Sequence, residues 1–237
     1  MRYEICAVTD IGCQRDKNED GFYVGGTYAY GRSYMSAHEF LEAPFIAFVM
    51  DGVGSSEFGE RAVKTGIDFI CKSLLPLSQN ELEDTMCQMN DKIYELSRTI
   101  DTASTIAGLL FAGEKIAFNI GDSKLFSINN GYMEQINVDD TLSGLSGGEY
   151  SKQNEPLIQY LGKASVVPHF RLLETGKLWL ICSDGLTDMV SIDHIEEILS
   201  LPMNMQNICD MLIEEAKQNG GYDNITVILI KECEENE

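Results

Sequence analysis

The sequence predicts an antiparallel α+β layered sandwich, and three observations carry that prediction. Short apolar runs with strand character recur from Ile5 to Ile230 across the 237 residues. Helical periodicity is confined to two places, residues 58–96 and residues 192–219, with a block of strands between them and one strand after the second. That order lacks the strand–helix alternation of a parallel βαβ fold. Finally, three Asp residues sit at or beside strand-like runs next to Gly or Asn: Asp51-Gly52, Asp184-Gly185 and Asp223-Asn224.

The elements follow in order. Tyr3, Ile5 and Ala7 alternate with more polar neighbours as in a half-buried strand, and Phe22 to Val24 reads as a second. Residues 25–44 are aromatic and Gly-rich without a clean period, and read as a long hairpin connection or irregular insertion. Phe45 to Met50 is wholly apolar, as expected of a central strand buried on both faces. Phe58, Ala62, Ile67, Ile70 and Leu74 recur at helical spacing, with Pro76 as the stop, and Leu82, Met86, Met89, Ile93 and Leu96 mark a second amphipathic helix. Thr105 to Phe111, Lys115 to Ile120, Lys124 to Ile128 and Tyr132 to Ile136 form a meander, with Asn129-Asn130-Gly131 as a hairpin turn because Asn and Gly tolerate positive φ. Ser143 to Lys163 is polar and Gly-containing, and reads as a flap beside the sheet. Leu178 to Cys182 is a further buried strand. Helices are expected over Ile192 to Leu199 and Met205 to Asn219, and a last strand over Ile225 to Ile230.

Composition narrows the function classes. No linker or low-complexity tract divides the chain, so a single domain over 1–237 is expected. Nothing approaches the ~18 consecutive apolar residues of a membrane span. The first residues lack a signal-peptide layout, and seven cysteines without Cys-x-x-Cys spacing fit reduced thiols, which together point to the cytoplasm. A formal net charge of −21 argues against nucleic acid and anionic membranes as partners. The same charge repels phosphorylated substrates, so bound cations and a local Arg are needed to reverse the field at any phosphate site.

A carboxylate at the end of a buried strand is costly unless a positive group meets it. Three that converge repel each other unless a divalent cation lies between them, and Asp beside the freely approachable carbonyl of Gly52 is hard-oxygen chemistry suited to Mg²⁺ or Mn²⁺. Singly, each pair is as readily a turn or a helix N-cap. A fourth segment, Thr9 to Asp20, adds Glu19 and Asp20 with Arg15 four residues before Glu19; the fork of Arg suits phosphate. By itself that segment reads as a charged surface loop. His38, His169 and His194 have no spaced partners suggesting a zinc site and read as surface or capping residues. No Cys precedes an Arg at Cys-x5-Arg spacing, which argues against a thiolate phosphatase.

Taken in order, these segments resemble the metal-dependent Ser/Thr protein phosphatases of the protein-phosphatase-2C-like (PPM) family, in particular its compact bacterial branch. The matching stretches are Thr9-Asp10-Ile11-Gly12 with Arg15 and Asn18-Glu19-Asp20; Asp51-Gly52-Val53-Gly54 with Gly59-Glu60; Ser104-Thr105; Asn119 to Ser123; Leu161-Gly162; Ser183 to Asp188; and Gly221 with Asp223-Asn224. The resemblance implies a four-layer αββα sandwich of two antiparallel sheets flanked by helix pairs. It implies that Asp51 bridges two Mn²⁺ or Mg²⁺ ions, with Gly52 offering its carbonyl to one and Asp184 and Asp223 ligating the other. Glu19 and Asp20, with Asn224, would support waters on the ions, Arg15 would grip the substrate phosphate, and Asp122 would serve a third, weaker metal. The implied reaction is hydrolysis of phosphoserine and phosphothreonine by attack of a water activated between two metals. The implied partners are phosphorylated proteins, including a Ser/Thr kinase and its substrates, with the enzyme a monomer. Val53 stands where many eukaryotic members have His, Gly54-Ser55 replaces Gly-Gly, Ala103 precedes Ser104-Thr105, and Lys124 replaces Arg. The alternative is a non-catalytic pseudophosphatase or phospho-binding scaffold, whose mark would be a lost acidic ligand; none is lost. A phosphatase dedicated to one anti-anti-sigma-type regulator is a third reading.

Overall fold

The computed structural model describes residues 1–53, 56–129, 131–146, 155–174 and 176–233. Gly54-Ser55, the middle of the Asn129–Gly131 turn, residues 147–154 of the expected flap and most of the acidic tail lie outside the described residues.

Two antiparallel six-stranded sheets face each other. In chain order the elements are β1 (Arg2–Asp10), β2 (Gly21–Val24), β3 (Thr27–Tyr30), β4 (Tyr34–Glu42), β5 (Phe45–Met50), α1 (Gly59–Ile70), α2 (Gln79–Ser97), β6 (Ile106–Ala112), β7 (Glu114–Ile120), β8 (Lys124–Asn129), β9 (Tyr132–Gln135), α3 (Leu142–Ser146), β10 (His169–Leu172), β11 (Leu178–Cys182), α4 (Asp184–Thr187), α5 (Ile192–Leu199), α6 (Met205–Gln218) and β12 (Ile225–Glu232). One sheet runs β4-β1-β12-β11-β8-β9 and the other β10-β7-β6-β5-β2-β3.

The continuous apolar runs are explained by layering. In β1, Tyr3, Ile5 and Ala7 enter the core between the sheets while Cys6 and Val8 face the α5–α6 side. In β5, Phe45, Ala47 and Val49 point inward while Ile46, Phe48 and Met50 pack beneath α1 and α2. A strand covered on both faces has no polar alternation to show. Tyr3, Phe45, Phe111 and Trp179 form an aromatic knot between the sheets, with Phe45 and Phe111 stacked at 4.7 Å. α1 lies close on β5 because Gly66 has no side chain: a Cβ there would stand 2.5 Å from Met50 Cε.

Helix starts follow their caps. Ser78 accepts from the Glu81 amide at 3.3 Å while Glu81 reaches back to the Leu77 amide at 2.7 Å. Ser191 and Asn204 cap α5 and α6, accepting from the His194 and Asn207 amides.

Three expectations change. Residues 25–44 do connect the paired strands β2 and β5, as the hairpin-connection reading expects, but they are regular rather than an irregular insertion: β3 forms a hairpin with β2, and β4 is the edge strand beside β1. Their periodicity is weak because both are edge strands, with one edge of each open to water and aromatic side chains such as Tyr28, Tyr34 and Phe40 left exposed. The first helix ends at Ile70, and Leu74 is 93% exposed beyond it. β10, four residues of partly exposed edge strand, was too short and too polar to be predicted.

Candidate metal centre and active site

The site forms where β5, β11 and β12 meet the β1–β2 connection. Asp51 follows directly on β5, and its backbone is pinned by the Thr105 amide donating to its carbonyl at 2.8 Å. Gly52 is bridged to Ser104, and a Cβ on it would lie 2.9 Å from both Glu19 and Gly59. Only glycine fits between those neighbours. Asp184 opens α4 after β11, and Gly185 presses on the next loop so closely that a Cβ would be 2.0 Å from the Asn224 carbonyl oxygen. Gly12 is similarly tight, with φ +76° and a virtual Cβ 2.2 Å from the Asp223 carbonyl.

Asn224 is the brace of this junction. Its Oδ1 accepts from the Glu19 amide at 2.8 Å, and its Nδ2 donates to the Ile11 and Lys17 carbonyls at 2.9 Å each. One side chain thus locks the start of β12 onto the loop carrying Arg15 and Glu19. Arg15 donates to Asp223 Oδ2 at 2.5 Å. Burial opposes the Arg15 charge, but Asp223 and, more weakly, Glu19 and Asp51 outweigh it.

The electrostatics are those of a crowded acidic centre. Burial, then the charges of Asp20, Asp184, Asp223 and Asp122, hold Asp51 well above the ordinary carboxylate range. Asp184 is pushed up to about 6 by burial and by Asp223, against the relief of a hydrogen bond with Asp51. Asp122 rises to about 7 through burial and the charge of Asp184, with Lys124 opposing. Asp20, 1% exposed, also rises to about 7 by burial, although Ser183 and Thr226 hydroxyls each donate to its Oδ2 at 2.8 Å. Glu19 reaches about 7 through burial and its contact with Glu60. Glu19, Asp20, Asp51, Asp122 and Asp184 are each raised first by burial and then by neighbouring acids, as in a set that a positive charge would neutralise.

All the sequence-predicted site residues are thus gathered: Arg15, Glu19, Asp20, Asp51, Gly52, Asp122, Asp184, Asp223 and Asn224. Among the described residues they stop short of a closed ligand set of three or more acidic, Cys or His side chains. Asp223 is drawn to Arg15 and Asp20 to its two hydroxyls. The donor chemistry nonetheless fits hard divalent cations: carboxylate oxygens, no thiolate or imidazole, and a glycine where the backbone must come close. Sequence reasoning gave Thr9 no role and passed over Thr226, although their hydroxyls meet at 2.8 Å beneath Asp20, and it also passed over Asp139 and Asp140 beside the Asp122 turn. Polar residues inside or just after apolar strands were the only signal. The three histidines lie apart from this centre, against Glu4, Asp140 and Glu197 with Glu215.

An acidic, glycine-framed centre with one guanidinium, set between two antiparallel sheets, is the arrangement of an α+β sandwich phosphatase. The family model described as Protein phosphatase 2C matches residues 34–211, and the chain belongs to that family. It is similar to the serine/threonine phosphatase stp of Listeria innocua, with 29% identity over 94% of this chain and 93% of that protein. It is similar in structure to the Mycobacterium tuberculosis serine/threonine phosphatase PstP/Ppp, with TM-score 0.81, 26% identity, and coverage of 99% of this chain and 100% of that one. The catalytic domain of PstP in complex with two manganese ions also matches, with TM-score 0.76, 27% identity, and coverage of 98% and 99%.

Proposed function

We propose that this phosphatase acts as one domain, hydrolyses phosphoserine and phosphothreonine in proteins, and requires two Mn²⁺ or Mg²⁺ ions. The observation that carries the reading is the gathering of Asp20, Asp51, Asp122 and Asp184, each raised by burial and by other acids, with Arg15 at their edge. Asp51, the Gly52 carbonyl, Asp184 and Asp223 would hold the ions, and Asp122 a third, weaker one. When bound, such ions lower the pKa of water and stabilise charge on phosphoryl oxygens.

The chain's own residues do the rest. Arg15, now paired with Asp223, is placed to exchange that carboxylate for a phosphate, and its fork fixes the phosphoryl group in one orientation. Asp20 orients water through the lone pairs that the Ser183 and Thr226 hydroxyls leave open, and Glu19 through its carboxylate beside Glu60. Val53, whose amide is tied to the Ala103 carbonyl at 3.1 Å, offers no proton, so the leaving alkoxide takes its proton from solvent. Substrates would be phosphoproteins such as a Ser/Thr kinase and its targets, met by a monomeric enzyme in the cytoplasm. No described helix is long and apolar enough to cross a membrane. The scaffold reading is not favoured, because every acidic position is present and crowded into one centre.

The test is hydrolysis of a phosphothreonine peptide and of p-nitrophenyl phosphate. EDTA should abolish both and Mn²⁺ restore them. Full turnover in EDTA, or none at saturating Mn²⁺, would overturn the proposal.

A further inference from the structure

Asp122 lies on a short turn between β7 and β8, and that turn is braced from both sides by two consecutive carboxylates that no part of the proposed chemistry uses. On one side, Asp139 Oδ2 accepts from Lys124 Nζ at 2.5 Å, and Asp139 Oδ1 from Gln135 at 2.7 Å. On the other, Asp140, 2% exposed, has a carboxylate with three partners. Its Oδ2 accepts from the Gly121 amide at 2.7 Å and from Gln159 Nε2 at 3.0 Å, and its Oδ1 meets His169 Nε2 at 2.8 Å. Its backbone continues the pattern: its amide donates to the Gly121 carbonyl at 3.0 Å, and its carbonyl accepts from the Ile158 amide at 2.7 Å.

These bonds join three separate pieces of chain. Gln159 closes a ring with Val167, donating to its carbonyl at 2.9 Å and accepting from its amide at 2.7 Å. Two residues on, Leu161 is bridged to Ser104, and Ser104 to Gly52. The segment 157–161 is therefore fastened to Gly52 through Ser104 and to the Asp122 turn through Asp140. Gly121 needs that fastening: its φ is +105°, it packs against Thr105, and its amide is held by the Asp140 carboxylate. A buried carboxylate with three donors fixes its neighbours' geometry more sharply than a neutral acceptor does.

We propose that Asp140 is a positioning residue that sets the Asp122 turn for the weaker cation, with His169 and Gln159 as its anchors. This rests on the metal-dependent reading above. Residues that orient ligands without touching the metal typically change its affinity about 10–100-fold.

The experiment is Mn²⁺ titration of the full chain, followed by the electron paramagnetic resonance signal of free Mn²⁺, with half-saturating Mn²⁺ for p-nitrophenyl phosphate turnover measured beside it. Wild type, Asp140→Ala, Asp140→Asn, His169→Gln and Asp122→Ala are compared. Asp140→Ala should weaken the low-affinity class about tenfold or more and leave the tight class unchanged. Asp122→Ala should remove the same low-affinity class. His169→Gln, which keeps a donor toward Asp140, should lie within about threefold of wild type. If Asp140→Ala does not fold, Asp140→Asn supplies the same comparison, expected between the two. Isotherms of the Asp140 variants that overlay wild type, while Asp122→Ala loses the weak class, overturn the proposal and leave the two-metal reading intact. Absence of any Mn²⁺ binding by wild type overturns both.

Discussion

Replacing Asp184 with Asn should stabilise the metal-free protein while abolishing its activity. In the fold Asp184 titrates near 6 rather than at the ordinary 3.8, first because it is buried and then because Asp223 and Asp188 are close. At about 1.4 kcal/mol per pH unit, a difference of that size is about 3 kcal/mol by which the ionised carboxylate weakens the metal-free fold above pH 6. The figure is a ceiling, because Asp51 and Asp223 share the same field and relax when one member is neutralised. The sign follows from linkage. A carboxyl whose folded pKa is raised binds its proton more tightly when folded, so its contribution is present at low pH and is lost as pH rises through about 6. Asn carries no charge at any pH and donates to the remaining carboxylates. The single tryptophan, Trp179, is fully buried between the sheets, so its fluorescence reports global unfolding in urea. In EDTA at pH 7.5, Asp184→Asn should be more stable than wild type by about 1–3 kcal/mol, and the gap should close toward pH 4. In saturating Mn²⁺ the order should reverse, because only wild type gains fully from binding. A variant less stable than wild type in EDTA at pH 7.5, with unchanged pH dependence, would refute the crowded-carboxylate account.

Three further outcomes are expected. Arg15→Ala should raise KM for a phosphopeptide and lower kcat/KM about 10–100-fold, and Arg15→Lys should rescue little of it because an ammonium cannot form the paired bonds of the fork; steady-state kinetics decide this. Gly185→Ala should displace the Asp223–Asn224 loop, since its Cβ would stand 2.0 Å from the Asn224 carbonyl, and calorimetric Mn²⁺ titration should show weaker binding in a folded protein. Trp179→Ala should cost about 3–5 kcal/mol in urea unfolding followed by circular dichroism, because the indole fills the aromatic knot with Tyr3 and Phe111.

The sequence was most informative where physics leaves few alternatives. Phe45 to Met50 had to be a strand covered on both sides, and it is. Asp51, Asp184 and Asp223 declared themselves because an acid beside a buried run is costly without a purpose. Three of the four edge strands were poorly legible. β3, β4 and β10 are stabilised by pairing with distant strands, so their own residues carry little period.

By itself, then, the sequence determined the antiparallel α+β class, the acidic residues of the centre and the guanidinium beside them, because burial, charge and backbone freedom are local properties of residue types. Only the tertiary structure decided how those residues are held. Asn224 ties β12 to the Arg15 loop across more than 200 positions, Ser183 and Thr226 converge on Asp20, and Asp140 joins the Asp122 turn to residues 157–161. Such contacts depend on which strands lie side by side, and no spacing along the chain encodes that.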